Sequence, residues 1–270
     1  GTPAPLCGHE KEKSAIYFCK RNGADFFMEI LRGMKERLSR GSRRLGIAMA
    51  LLVLAAAFYF SRQRFWEEAS SRAAENRLIL IDAGHGGNDP GKVGVDGVLE
   101  KDLNLALAKK LEVLLEQQDM EVMLIREEDH GLYDDGASNK KAQDMKRRCE
   151  LINSEQPACV VSIHQNSYHE ESVRGAQVFY YGTSKESEQL AKLLQTELTR
   201  AGEPEDARQA RANDTYYLLK RTAVPTVIVE CGFLSNWEDC AKLQDENYQD
   251  RLVWAIHMGI LKYMNSTTNA

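Results

Sequence analysis

Five short apolar runs alternate with longer stretches of helical periodicity, and this alternation constrains the chain more than any other feature. The runs are RLILIDA (77–83), EVMLIR (121–126), ACVVSIH (158–164), AQVFYY (176–181) and PTVIVECG (225–232). Each has strand length, is rich in β-branched residues and carries few charges, as expected of strands covered on both faces. Between and after them, Leu99, Leu103, Leu107, Leu111 and Leu114 recur at helical spacing, and so do Leu252, Ile256, Ile260 and Tyr263. Residues 137–153 and 184–200 also read as helices, the second with Ser184 as its N-cap. Strands alternating with helices predict an α/β domain built on a mostly parallel sheet.

A second constraint lies upstream. Residues 45–60, LGIAMALLVLAAAFYF, carry no charge. As a helix they span about 24 Å, just short of a bilayer core. Lys35, Arg37, Arg40, Arg43 and Arg44 precede them, whereas Arg62 and Arg64 are followed at once by Glu67 and Glu68. The excess of positive charge before the run predicts a body lying away from the cytoplasm. Four segments are therefore expected: 1–44, cytoplasmic or unstructured; 45–60, a transmembrane signal-anchor or a cleaved signal peptide; 61–76, a linker; and 77–265, the catalytic domain. No crisp A-x-A cleavage site closely follows the apolar run, which favours the anchor. Residues 1–33 show no periodicity, and Met34 or Met28 is the expected start of the native chain.

The net charge of −5 and the lack of any nucleic-acid-binding signature exclude nucleic acid as a partner. The six cysteines include no CxxC pair and read as small, mostly buried hydrophobes.

The chemistry concentrates where strands end. The first run continues into LILIDAGHGGNDPG (78–91), a histidine among glycines. A phosphate loop is excluded, because no Lys-Ser/Thr follows and the glycine spacing is wrong for a dinucleotide site. In open α/β sheets, ligands bind outside the carboxyl ends of the strands. His85 follows the first strand, His164 ends the third, and Glu230 ends the fifth. Glu100 opens the Leu-striped helix after the loop GNDPGKVGVDGVL, which is long enough to fold it back over the same edge. Two histidines and one glutamate form a usual catalytic zinc (Zn2+) set, and a further carboxylate can serve as general acid/base. The expected ligands are His85, Glu100 and His164, with Glu230 catalytic. Asp82 and Asn166 are expected to support them. Taken singly, each of these residues equally suits a structural role. His9 and His130 are expected in solvent, and His169 and His257 have no assigned role.

Together, IDAGHGGNDPG, GVLEKDLNLALAKKL, VSIHQNS and VIVECGFLSN resemble the zinc-dependent N-acetylmuramoyl-L-alanine amidases of the Amidase_3 type, over about residues 77–264. The resemblance implies a single domain with a twisted sheet of about six strands flanked by helices. It also implies zinc on His85, Glu100 and His164, a catalytic Glu230, and a role for Arg126. The implied activity is hydrolysis of the amide between the lactyl group of N-acetylmuramic acid and L-alanine of the stem peptide. Only QNSYHEESVRGAQ separates the third strand from the fourth, so the long regulatory helix of some members is not expected. A compact domain behind a lone apolar segment is similar to the sporulation amidases of endospore formers, which prepare muramic-δ-lactam in spore cortex. The implied partners are peptidoglycan glycan strands with their stem peptides, the membrane through the N-terminal segment, and an accessory protein. Tyr168, Asn213, Tyr216 and Tyr217 are expected to line the cleft. A general cell-wall amidase of cell separation or lysis, a stem-peptide zinc peptidase and a silent peptidoglycan-binding scaffold are the alternatives.

Overall fold

The computed structural model describes residues 46, 49–63, 78–202 and 206–268. The chain divides into two units, residues 1–68 and 69–270. In the first, residues 49–63 are helical, reaching three residues into the expected linker, and expose Leu51, Leu52, Phe58 and Phe60. This helix is about 22 Å long, short of a bilayer core. Among the described residues, no helix is long and apolar enough to cross a membrane, so the described helix does not by itself make the expected transmembrane segment. Residues 1–45, 47, 48 and 64–77, with Cys7, His9 and Cys19, lie outside the described residues.

In the second unit the described elements run in the order β1 (Leu78–Ala83), α1 (Glu100–Glu116), β2 (Glu121–Leu124), α2 (Lys140–Glu155), β3 (Cys159–Asn166), β4 (Gln177–Tyr180), α3 (Lys185–Ala201), β5 (Arg211–Ala212), α4 (Tyr217–Arg221), β6 (Thr226–Phe233), α5 (Trp237–Gln244) and α6 (Glu246–Thr268). The six strands form one sheet in the order β2-β1-β3-β6-β4-β5. All neighbours are parallel except β4 and β6, which run antiparallel. The predicted α/β architecture is therefore the observed one. The segment between β3 and β4 holds no helix, as expected. Ser184 caps α3, accepting a hydrogen bond from the Ser187 amide.

The period of two along each strand divides the core and places the chemistry. Ile79, Ile81 and Ala83 of β1, Cys159, Val161 and Ile163 of β3, and Val227, Val229 and Cys231 of β6 join one buried cluster with leucines of α1, α3 and α6. The alternate residues Leu80, Val160 and Ile228 face the other way, against Cys149 and Ile152 of α2 and Leu218 and Leu219 of α4. Continuing that second parity toward the strand ends gives Asp82, then Ser162 and His164, then Glu230. Hydrophobic burial thus orients the polar residues, because a one-residue slip would turn every side chain to the opposite face. Cys149, Cys159, Cys231 and Cys240 are free and buried, as expected.

Candidate active site

His164 and Glu230 are register partners on adjacent parallel strands. Both strands extend past these residues, β3 to Asn166 and β6 to Phe233. The two residues were expected to end their strands. An irregularity in the pairing between His164 and Asn166 carries the ladder onward.

The loop after β1 completes the cluster. His85 takes a φ of 62°, a left-handed conformation uncommon for a residue with a Cβ. It is held there from two sides: Arg148 donates to its carbonyl at 2.7 Å, and its Nδ1 lies 3.0 Å from Asp89 Oδ2. The loop then folds back, so that the amides of Glu100 and Lys101 donate to the carbonyls of Lys92 and Pro90. These bonds satisfy amides that the helix itself leaves open at its first turn. Glu100 is thereby buried over the sheet edge, with 1 % of its surface exposed.

Two ring nitrogens converge on one carboxylate oxygen. His85 Nε2 lies 3.1 Å and His164 Nδ1 3.0 Å from Glu100 Oε1. One donor atom from each residue lies within 4.8 Å of the others. Nitrogen and oxygen donors around a tetrahedral zinc ion sit about 3.3 Å apart, given bonds of about 2.0–2.1 Å. The donor set and its spacing therefore fit zinc, and three protein ligands leave a fourth position open. The Glu100 carboxylate also accepts from the Gln165 amide at 3.1 Å, the Lys92 amide at 2.7 Å and Asn104 Nδ2 at 3.4 Å. Burial pushes its pKa up, but the bonds and charges of His164 and His85 outweigh burial and hold it well below the usual carboxylate range.

Two glycines make room for the cluster. A Cβ on Gly84 would lie 2.3 Å from Cε1 and Nε2 of His164, and one on Gly91 would lie 2.5 Å from Glu100 Oε2. Gly91 also has a φ of 68°. A side chain at either position would displace a ligand.

Glu230 stands beside this cluster, 7 % exposed. Its Oε1 accepts from the Tyr216 hydroxyl at 3.3 Å, and its Oε2 is buried with no partner among the described residues. Burial is the largest influence on its pKa and raises it, Glu100 adds to the rise, and His164 and Tyr216 oppose it. A buried glutamate with one oxygen uncommitted suits proton transfer. The adjoining cleft, about 110 Å³, is lined by His85, Asp89, Lys141, Met145, His164, Tyr216, Tyr217 and Glu230 among others.

This geometry coincides with the family match. The model for the N-acetylmuramoyl-L-alanine amidases (Amidase_3) covers residues 79–262. The chain belongs to that family. The germination-specific N-acetylmuramoyl-L-alanine amidase of Bacillus subtilis (strain 168) is 35% identical over 233 residues, covering 85% of this chain and 96% of that protein. The CwlD amidase of Clostridioides difficile, whose structure was solved in complex with the GerS lipoprotein, matches with a TM-score of 0.68 and 40% identity. That match covers 71% of this chain and 100% of the other. The catalytic domain of CwlV from Bacillus (Paenibacillus) polymyxa var. colistinus matches with a TM-score of 0.61 and 31% identity over 70% of this chain and 98% of that domain.

In this amidase the expected supporting residues divide. Asp82 receives Arg148 Nη1 and, at 2.6 Å, the Ser162 hydroxyl, with no bond to His85. Burial would raise its pKa, but Arg148, His164 and Ser162 together hold it below the usual range. Arg126 is 1 % exposed and spends its guanidinium on four backbone carbonyls: Ala83, Gly84, Lys101 and Glu128. It clamps the end of β1 to the start of α1 and does not line the cleft. Asn166 accepts from its neighbour, the Ser167 amide. The supporting place expected for it is filled by Gln165, whose Nε2 donates to Asn104 Oδ1 at 3.1 Å.

Of the expected cleft residues, Tyr216 and Tyr217 are present. Tyr168 is exposed outside the cleft, with its amide on Ser235 Oγ. Asn213 forms a turn, accepting from the Thr215 and Tyr216 amides. His130 is exposed, as expected; His169, which had no assigned role, is also exposed, and His257 is buried on α6. Asp89, Asn104, Lys141, Arg148 and Gln165 were not foreseen. Only Asp89, four residues after His85 within the same motif, had a usable sequence signal.

Proposed function

We propose that this amidase hydrolyses the amide joining the lactyl group of N-acetylmuramic acid to L-alanine of the peptidoglycan stem peptide, with His85, Glu100 and His164 holding zinc and Glu230 as the catalytic acid/base. The observation that carries this is the convergence of His85 Nε2 and His164 Nδ1 on one Glu100 oxygen, beside a buried glutamate with a free oxygen. Zinc bound there would polarise the scissile carbonyl and favour deprotonation of the attacking water.

The chain's own residues supply the rest. Asp89 accepts from His85 Nδ1 and so presents Nε2 toward the cluster. The Gln165 and Lys92 amides and Asn104 fix the Glu100 carboxylate. Glu230, as carboxylate, takes a proton from the attacking water. It returns that proton to the amide nitrogen as the C–N bond breaks. The products are a lactyl carboxylic acid and the α-amine of L-alanine, the acid then ionising with its proton passing to the freed amine or to solvent, and Glu230 is again ionised.

The proposed setting is extracytoplasmic, on spore-cortex peptidoglycan. There, removal of the stem peptide frees the lactyl carboxyl that muramic-δ-lactam requires. The likeness to the germination-specific relative, over 85% of this chain and 96% of that protein, supports this setting. An accessory protein belongs to the same proposal, supported by the CwlD–GerS complex. So does attachment to a membrane through residues 45–60, supported by the exposed apolar side chains of the helix at 49–63.

Metal analysis of the full chain tests the site. One zinc per chain, loss of activity on chelation with recovery on adding zinc, and no bound zinc in His164→Ala are expected. Full activity after complete removal of metal would refute the proposal.

A further inference from the structure

Glu230 has two oxygens in different surroundings, and the difference originates in one side chain. We infer that Tyr216 is a positioning residue for the hydrolysis: its hydroxyl anchors Glu230 Oε1 so that Oε2 alone is left to carry the proton. This rests on the role proposed above for Glu230.

Tyr216 is itself held from several directions. Its amide donates to Asn213 Oδ1 at 3.0 Å, and the same oxygen accepts from the amide and hydroxyl of Thr215, both at 2.8 Å. The Asn213 amide in turn donates to the Tyr180 carbonyl at the end of β4. The turn that carries Tyr216 is thus fastened to the sheet containing Glu230. The ring stands edge-on to Phe179, with centroids 5.6 Å apart and planes at 90°. This packing fixes the ring without using the hydroxyl, which leaves the hydroxyl free to reach Glu230 Oε1 at 3.3 Å. Burial, with the negative charge of Glu230 next, pushes the Tyr216 pKa far up, so its hydroxyl remains a donor at any working pH. A bond of 3.3 Å is long for two oxygens, and such contacts commonly tighten once substrate is bound.

A glutamate side chain left alone can rotate about its terminal bond and exchange its two oxygens. Anchoring one oxygen removes that freedom, and the other then faces the reacting atoms in a single orientation. The contribution falls on the chemical step and not on substrate affinity.

The test uses the zinc-loaded full chain on purified peptidoglycan. Tyr216→Phe keeps the ring and its contact with Phe179. It should lower kcat about tenfold, the scale of one hydrogen bond to a charged group, with KM unchanged and the unfolding temperature lowered by only a few degrees. Asn213→Ala loosens the turn and should lower kcat by no more than Tyr216→Phe does. The double variant should match Tyr216→Phe alone, because both act through the same hydroxyl. An unchanged kcat in Tyr216→Phe, a loss confined to KM, or additive losses in the double variant would each overturn the inference. Glu230→Gln, run alongside, separates the two levels. If it remains active, the role of Glu230 itself fails. If it is inactive while Tyr216→Phe retains full kcat, only the anchoring by Tyr216 fails.

Discussion

Replacing Arg148 by methionine should reveal how the site is tied to the core. Arg148 is 1 % exposed and Asp82 2 % exposed. The guanidinium donates to Asp82, to Asp144 at 2.6 Å, and to the carbonyls of Ala83 at 3.1 Å and His85 at 2.7 Å. Methionine fills much of the volume but provides none of these donors. Asp82 would keep only Ser162, and the His85 carbonyl would lose the donor that holds its strained turn. Removing one partner of a buried ion pair costs about 3–5 kcal/mol. For a domain of this size, each kcal/mol lowers the midpoint by about 2–4 °C, so a fall of roughly 10 °C is expected in thermal unfolding followed by circular dichroism.

The pH dependence has a defined sign. In the wild type the Asp82 pKa lies below its ordinary 3.8. Its contribution is therefore fully present well above pH 3.8 and is lost as pH falls through the lower folded value. In Arg148→Met the buried carboxylate lacks its cation, so its folded pKa rises above 3.8 and the ionised form becomes a cost that acidification relieves. The gap between the two proteins should narrow as pH is lowered from 7 toward 4. Adding Asp82→Asn to Arg148→Met should recover part of the loss. An unchanged midpoint, a gap independent of pH, or strict additivity of the two substitutions would refute this account of the network.

Two further substitutions probe the cluster itself. Gly84→Ala should expel the His164 ring from its position, because the new Cβ would lie 2.3 Å from it; zinc titration should register at least a tenfold loss of affinity. Asp89→Asn weakens the acceptor that selects Nε2 of His85 as the ligand. A loss of about 10–100-fold in zinc affinity is expected by competition with a chromophoric chelator, with little change in thermal stability of the metal-free protein.

Much of the site could be read from the sequence because His164 and Glu230 lie toward the carboxyl ends of strands and His85 just beyond one. His164 and Glu230 sit inside runs whose apolar alternation sets their facing, and His85 lies in a glycine-rich turn directly after such a run. Glu100 was legible because a helix start carries few side chains able to reach a sheet edge. The supporting residues were not legible for physical reasons. Arg148 lies in a helix rich in charge, and nothing along the chain distinguishes a buried arginine from the solvated Lys146 beside it. The bond that joins Gln165 to Asn104 links residues 61 apart in sequence, so neither side chain announces it locally. The short β5 and α4 carry too little periodicity to announce themselves, although Tyr216, the N-cap of α4, and Tyr217, its first residue, line the cleft. Arg126 fitted the family pattern, but its burial on four carbonyls follows from the approach of two chain segments and from no local signal.

The most direct test is product analysis by mass spectrometry after purified peptidoglycan is digested with the zinc-loaded full chain and with Glu230→Gln. The account predicts that the wild type releases stem peptides with a free L-alanine amine and leaves intact lactyl groups on the glycan. It also predicts that Glu230→Gln retains zinc and releases none. New D-amino-acid termini, no cleavage by the zinc-loaded wild type, or full activity of Glu230→Gln would contradict it.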